Sequence, residues 1–366
     1  MIPIAKPLIG DEEVKAVEGV LRSGMLACGE EVRKFEREFS EYLGVKHVIA
    51  VVNGTASLDI ALKSLGIKHG DGVITTPFTF IASANCILYQ NARPVFADID
   101  PKTYNLDPDC VLEKINKKTK AILVVHLYGQ PADMQAFKEI AEDHKLYLIE
   151  DCAQAHGAEF HGKKVGTFGD IACFSFYPTK NITSGEGGMI VTNNDEFAEL
   201  AKLLRDHGQT KKYLHEILGY NLRMTDILAA IGRVQLKKLE KFNDARIRNA
   251  KLLTKGIREI EGLKPPYVDS RVKHVFHQYV IKVEENFPLN RDALAEKLQE
   301  KGIGVAIHYP LPLHWQPLYQ KLGYDKNDCP NAIEAAKKVL SLPVHPAVTE
   351  KDINYIINTL KEISDA

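Results

Sequence analysis

Two residue types at a short spacing carry the chemistry of this chain: an acid, Asp151, and a lysine, Lys180. Asp151 follows Leu146-Tyr147-Leu148-Ile149, an apolar run of the kind that makes a buried parallel strand. It therefore falls at a strand's carboxyl end, where open α/β sheets put their ligands. Lys180 follows a second apolar run, Ala172 to Phe176, then Pro178, which cannot continue a helix. Beyond it, Gly185, Gly187 and Gly188 let the backbone approach something closely. An acid beside a Schiff-base lysine is what a protein supplies to pyridoxal phosphate, which works as an electron sink only while its pyridine nitrogen stays protonated. Taken singly, the Asp would be a helix cap and the Lys a solvated side chain; their setting argues otherwise.

A second anion site is legible upstream. His47 to Val52 is apolar and runs into Asn53-Gly54-Thr55-Ala56, then a helix carrying Leu58, Ala61, Leu62 and Leu65. The first N–H groups of a helix lack intrahelical partners and sit at its positive end, so they bind phosphate without a basic side chain. Thr55 and Ala56 are the candidates for the cofactor phosphate.

These segments resemble the DegT/StrS family of sugar-nucleotide aminotransferases. The likeness rests on VVNGTASLDIAL, PFTFIASANCI, PVFADID, HLYGQPADM, IEDCAQAHG, GTFGDIACFSFYPTKNITSGEGGM, GYNLRMTDILAAIG, the Ile303 to Leu313 segment and SLPVHP, in the family's order over essentially the whole chain. It implies an α/β, type I aminotransferase fold: a large domain with a mostly parallel sheet flanked by helices, plus a smaller C-terminal α+β domain. It also implies a homodimer with shared active sites and amino transfer from L-glutamate to a nucleotide-linked keto-sugar, for amino-sugar and cell-surface glycan biosynthesis. By the same resemblance Phe80 stacks on the pyridine ring, Gln154 contacts the ring near its phenolic oxygen, and Ser175 gives its hydroxyl to the phosphate. Asn221 reaches the other subunit's cofactor phosphate, while Met25, His308 and Tyr309 line the sugar pocket. The run after Lys180 is closer to relatives that aminate C4 than to those that aminate C3, so a 4-keto-sugar is expected. The nucleotide is not legible.

Residue-level alternatives stand beside these roles: Phe80 as core, Met25 as gap filler, Asn221 as cap of the helix starting near Thr225, and His308-Tyr309 as a packing turn. For function, the alternatives are a 3-keto-sugar aminotransferase, a sugar dehydratase, which would carry histidine in place of Lys180, and a non-catalytic regulatory protein retaining the fold. A dinucleotide oxidoreductase is disfavoured because no strand opens into G-x-G-x-x-G.

The elements that must position these groups alternate. Strands are expected at Asp71–Thr76, Pro94–Asp98 and Ala121–Val125, with helices at Phe80–Leu88 and Asp133–Asp143, which predicts a mostly parallel sheet with right-handed crossovers. Helices at Asp11–Leu21 and Glu30–Leu43 precede them, the second with Val32, Phe35, Phe39 and Tyr42 on one face. After Met189 come one more strand, a helix at Asp195–Leu204 and an irregular polar stretch over Gln209–Leu218. A long helix at Thr225–Glu259 crosses from a large domain, 1–240, to a small one, 241–366. There, strands are expected at His274–Val283 and Val305–Tyr309, with helices at Arg291–Lys301 and Glu350–Ile363. His126, His156 and His161 have no partner at catalytic or metal-ligand spacing, so they read as structural and no metal is expected.

At 366 residues the chain exceeds one typical domain, and at 45% hydrophobic it can bury a substantial core. A formal charge of −1 gives no general attraction to nucleic acid or to a membrane. The sequence opens without a basic-then-apolar leader and holds no apolar run near the ~18 residues a membrane helix needs. Cys28, Cys86, Cys110, Cys152, Cys173 and Cys329 form no C-x-x-C pair and read as reduced thiols of a cytoplasmic protein.

Overall fold

A computed structural model describes residues 1–365. Its centre is a seven-stranded sheet in the order His47–Val51, Gly188–Thr192, Ile171–Ser175, Tyr147–Asp151, Thr119–Val125, Gly72–Thr75, Arg93–Phe96. Gly188–Thr192 is antiparallel to both neighbours, and the remaining pairs are parallel. The strands are nearly all buried, which is why they read as unbroken apolar runs: helices cover both faces of such a sheet. Because the parallel strands share a direction, Asp151, Ser175 and the loop to Lys180 emerge at one edge.

Helix Glu30–Leu43 braces the lysine strand from behind. Its Phe39 meets Phe174 at 5.0 Å and Phe176 at 5.6 Å between ring centroids, and its Phe35 meets Phe176 at 5.2 Å. All four rings are buried, each stabilising the fold by roughly 1.5–3 kcal/mol through area burial. Gly232 of the long helix Asp226–Ile257 admits this layer, since a Cβ there would stand 2.4 Å from the Phe35 ring.

A second core lies towards the C-terminus. Leu263–Lys264, Tyr279–Val283 and Val339–Leu342 form an antiparallel sheet. Helices Arg291–Glu300 and Glu350–Ser364 pack on it through Leu294, Leu298, Ile353, Ile356 and Leu360. Ile2 pairs with Ile303 in this region, whereas Ala332, Ala335 and Ala336 of helix Pro330–Lys338 pack into the core of the large sheet.

Several elements depart from expectation. Val305–Tyr309 is not a strand: Ala306 makes one bridge to Ser341, and the His308 side chain stays on Ser341, while the His308 carbonyl and the Tyr309 hydroxyl meet Tyr128 and Gln154 on the large sheet's side. The expected strand over His274–Val283 is confined to Tyr279–Val283, because Phe276 has a left-handed backbone at φ 45° and the carbonyls of Phe276 and His277 accept from Arg246. The polar stretch at Gln209–Leu218 contains a small hairpin, Gln209–Lys211 with Leu214–His215. No helix among the described residues is long and apolar enough to cross a membrane, and all six cysteines are free.

Candidate active site

The parallel register sets Asp151 beside Cys173, so the acid and the lysine leave adjacent strand ends. Asp151 is buried. Its Oδ2 accepts from the Ser83 hydroxyl at 2.8 Å and its Oδ1 from the Ala153 N–H at 3.1 Å. Burial pushes its carboxyl pKa up, opposed by those two donors and by the charges of Lys180 and His126. A carboxylate offers about four acceptor positions; two are filled, and the others are left for a further donor. Lys180 sits in a turn, its N–H donating to the Tyr177 carbonyl at 2.9 Å, and its side chain is half-buried. Desolvation drives the amine down to about 8, against the pull of Asp151.

At the other end of the cleft lies the glycine turn. Asn53 caps helix Gly54–Ser64, its Oδ1 accepting from Ala56 N–H at 2.9 Å. Among the described residues no protein acceptor meets the N–H of Gly54 or Thr55, leaving two donors at a positive helix end. Ser175 stands directly over this turn, because a Cβ on Gly54 would lie 2.6 Å from the Ser175 Cβ. Gly188 packs equally close, its would-be Cβ 2.3 Å from the Asn53 carbonyl. Ser175, Gly54 and Thr55 therefore converge, with Ala56 adjacent but engaged by its cap.

Phe80 is 58% exposed, although Ser83, one helical turn on, holds the buried Asp151. Among the described residues Phe80 stacks on no other aromatic ring, which leaves its face open to a flat ring. Gln154 is buried and held at both ends: Oε1 accepts from Tyr128 N–H at 2.7 Å and Nε2 donates to the Tyr309 hydroxyl at 3.1 Å. His308 joins through Nδ1, 2.9 Å from the Ser341 hydroxyl, and through its carbonyl, which accepts from the Tyr128 hydroxyl. Burial takes the His308 imidazole down to about 4 and that of His156 to about 3, so both are neutral at ordinary pH.

Met25, 68% exposed, and Asn221, also exposed, contact none of these groups within the chain. Asn221 does not cap the long helix; Thr225 does, accepting from Leu228 N–H, while Asn221 Oδ1 accepts from Arg223 Nε at 3.1 Å. His126 has the acid partner that spacing did not reveal: its Nε2 is 3.1 Å from Glu150 Oε2. It remains a framework residue, since Glu150 also accepts from the N–H groups of Gly166, Phe168 and Gly169 and His126 Nδ1 accepts from Ala132 N–H. Those bonds occupy the atoms that, with Cys152, lie close enough together for a metal. Ser83 and Tyr128 were missed by sequence reasoning. For Ser83 the signal was available in its three-residue offset from Phe80.

The model of the DegT/DnrJ/EryC1/StrS aminotransferase family matches residues 7–361. The chain belongs to this family. Among curated relatives of this aminotransferase, the GDP-perosamine synthase of Vibrio cholerae is 38% identical, covering 99% of this chain and 98% of its own. The UDP-N-acetyl-3-dehydro-alpha-D-glucosamine 3-aminotransferase of Acidithiobacillus ferrooxidans is 39% identical over 96% of this chain and 93% of its own. Among solved structures, S. venezuelae DesV in complex with a ketimine intermediate superposes with a TM-score of 0.93 at 36% identity, covering 97% of this chain and 95% of that one. The expected type I aminotransferase fold is thereby shown, as is membership of a family whose relatives act on sugar nucleotides.

Proposed function

We propose that this aminotransferase moves the amino group of L-glutamate to C4 of a nucleotide-linked 4-keto-sugar, with pyridoxal 5'-phosphate as cofactor, in a cytoplasmic homodimer whose subunits share active sites. The observation that carries the proposal is the departure of Lys180 and the buried Asp151 from adjacent strand ends, Asp151 with open acceptor positions. The residues present suit the cofactor: a carboxylate for its ring nitrogen, an exposed Phe80 for its face, and free N–H groups with a serine hydroxyl for its phosphate. When bound, pyridoxal phosphate supplies the electron sink that makes a proton on the carbon bearing nitrogen labile.

The roles follow from chemistry. Asp151 holds a proton at the pyridine nitrogen, with Ser83 and Ala153 fixing its carboxylate. Gly54 and Thr55 N–H groups and the Ser175 hydroxyl bind phosphate, Ala56 shaping the turn, and Asn221 is assigned to the phosphate held by the partner subunit. Phe80 fixes the ring plane, and Gln154 donates towards the phenolic oxygen. With the cofactor bound, Lys180, once neutral, would take the proton from the α-carbon of glutamate and deliver it to the cofactor carbon bonded to the same nitrogen, and would run the transfer in reverse for the sugar. Met25, His308 and Tyr309 are assigned to the sugar. The division into a large domain, 1–240, and a small one, 241–366, belongs to the same proposal, with the segments around Ile2 and Ala332 crossing it.

A second reading, amination at C3, is favoured by the 3-aminotransferase relative. Incubating the loaded protein with L-glutamate and then with 4-keto and 3-keto sugar nucleotides, followed by NMR of the product, separates the two. A new amine at C4 supports the proposal, and one at C3 replaces it.

A further inference from the structure

Tyr128 joins the cofactor side of the site to the His308–Tyr309 segment. It is buried, and its backbone is left-handed at φ 58°, which costs a non-glycine residue about 1–2 kcal/mol. Such strain persists where surrounding contacts over-determine it. Here the N–H of Tyr128 donates to Gln154 Oε1 at 2.7 Å, its hydroxyl donates to the His308 carbonyl, and its ring meets Tyr104 edge-on at 6.2 Å.

The consequence is a direction of hydrogen bonding. A glutamine amide has one accepting end and one donating end. A main-chain N–H can only donate, so the end of Gln154 facing Tyr128 must be its oxygen, and the end facing Tyr309 must be its NH2. Gln154 Nε2 accordingly donates to the Tyr309 oxygen at 3.1 Å. With its oxygen accepting, Tyr309 has a hydroxyl proton that meets no acceptor among the described residues. Tyr309 is half-buried, and that proton is available to an occupant of the cleft.

We propose that Tyr128 is a positioning residue: by fixing the Gln154 amide and the His308 carbonyl it makes Tyr309 present a hydrogen-bond donor to a neutral oxygen of the keto-sugar. The inference rests on the function proposed above. A neutral hydroxyl suits a sugar carbonyl or hydroxyl, whereas the carboxylates of the amino donor gain more from charged partners.

Steady-state kinetics of the loaded enzyme test it, with keto-sugar nucleotide and L-glutamate varied in turn for wild type, Tyr128→Phe and Tyr309→Phe. Tyr309→Phe is expected to raise KM for the keto-sugar by about three- to tenfold, the loss of one neutral hydrogen bond. Tyr128→Phe, which keeps the N–H on Gln154 but frees the His308 carbonyl beside Tyr309, raises it by at least about twofold and by no more than Tyr309→Phe. KM for glutamate and the visible absorbance of the bound cofactor stay within about twofold of wild type. The double variant does no more than the larger single change, because both disrupt one interaction. Melting is followed on the same samples; should Tyr128→Phe unfold, Gln154→Glu, which offers the Tyr309 hydroxyl an acceptor in place of a donor, carries the test and is expected to raise the sugar KM as Tyr309→Phe does. An unchanged sugar KM, a rise in glutamate KM instead, or a multiplicative double variant overturns the proposal while leaving the aminotransferase reading intact. A wild type that neither binds nor converts any keto-sugar nucleotide overturns both.

Discussion

The residue to which the proposal assigns the chemistry is Lys180, and its protonation gives a measurable signature. In the unloaded protein, labelling of Lys180 by an amine-reactive reagent is expected to follow a midpoint near 8, against ~10.4 for ordinary lysines. The same shift has a sign in stability. The folded amine releases its proton at lower pH than the unfolded one, so between about 8 and the unfolded value the unfolded state binds more protons and stability rises with pH. A denaturation series on unloaded wild type and Lys180→Met should show that rise in the first and its loss in the second. Ser83→Ala is expected to weaken cofactor binding by about three- to tenfold, since one of the two bonds fixing Asp151 disappears; titration of the visible absorbance measures it. At this scale the sequence was informative where the residues that cluster sit inside one motif, as with Asp151 and Gln154, or Ser175 and Lys180. It was silent where partners meet only through tertiary structure. His126 and Glu150 belong to separate segments, and only the pairing of the Thr119–Val125 and Tyr147–Asp151 strands makes them neighbours.

At the scale of elements, close backbone approach is what brings the proposed phosphate end together. Gly188→Ala would set a Cβ 2.3 Å from the Asn53 carbonyl and 2.9 Å from the Gly54 nitrogen, against backbone that cannot yield cheaply. It should destabilise by about 1–3 kcal/mol and lower cofactor affinity, seen in parallel chemical denaturation and absorbance titration. Gly19→Ala is the control. It lies in helix Asp11–Ser23 with nothing within 4 Å of the added Cβ, and should stabilise by roughly 0.5–1 kcal/mol. The main-sheet strands were legible because burial on both faces forces continuous apolar runs. Val305–Tyr309 misled because its alternation is that of a strand while only Ala306 pairs with the sheet, at Ser341, and the His308 carbonyl and Tyr309 hydroxyl bond away from it. Helix Pro330–Lys338 went unread although it carries two signals, proline at its start and Lys337 and Lys338 in its last turn; its short alanine-rich face gave little periodicity.

At the scale of the molecule, the proposed sharing of sites between subunits has a genetic test. Lys180→Ala and Asn221→Ala variants, each weakly active alone, should recover activity when unfolded and refolded together. Half of the dimers are then hybrids, each with one site that has both an intact lysine and an intact partner asparagine, or about a quarter of wild-type sites. Recovery near zero would make Asn221 a residue of its own subunit's surface. The packing of Ile2 and the Ala332 helix was not legible, because both meet cores remote in sequence, which hydrophobic patterning does not encode. The central claim, that Lys180 carries pyridoxal phosphate for amino transfer, is tested most directly by the absorbance spectrum of the purified protein supplied with the cofactor, before and after L-glutamate. The account predicts a visible band that glutamate shifts to the spectrum of the aminated cofactor, and no such band in Lys180→Ala. A wild-type protein that develops no band, or a band that survives unchanged in Lys180→Ala, would contradict it.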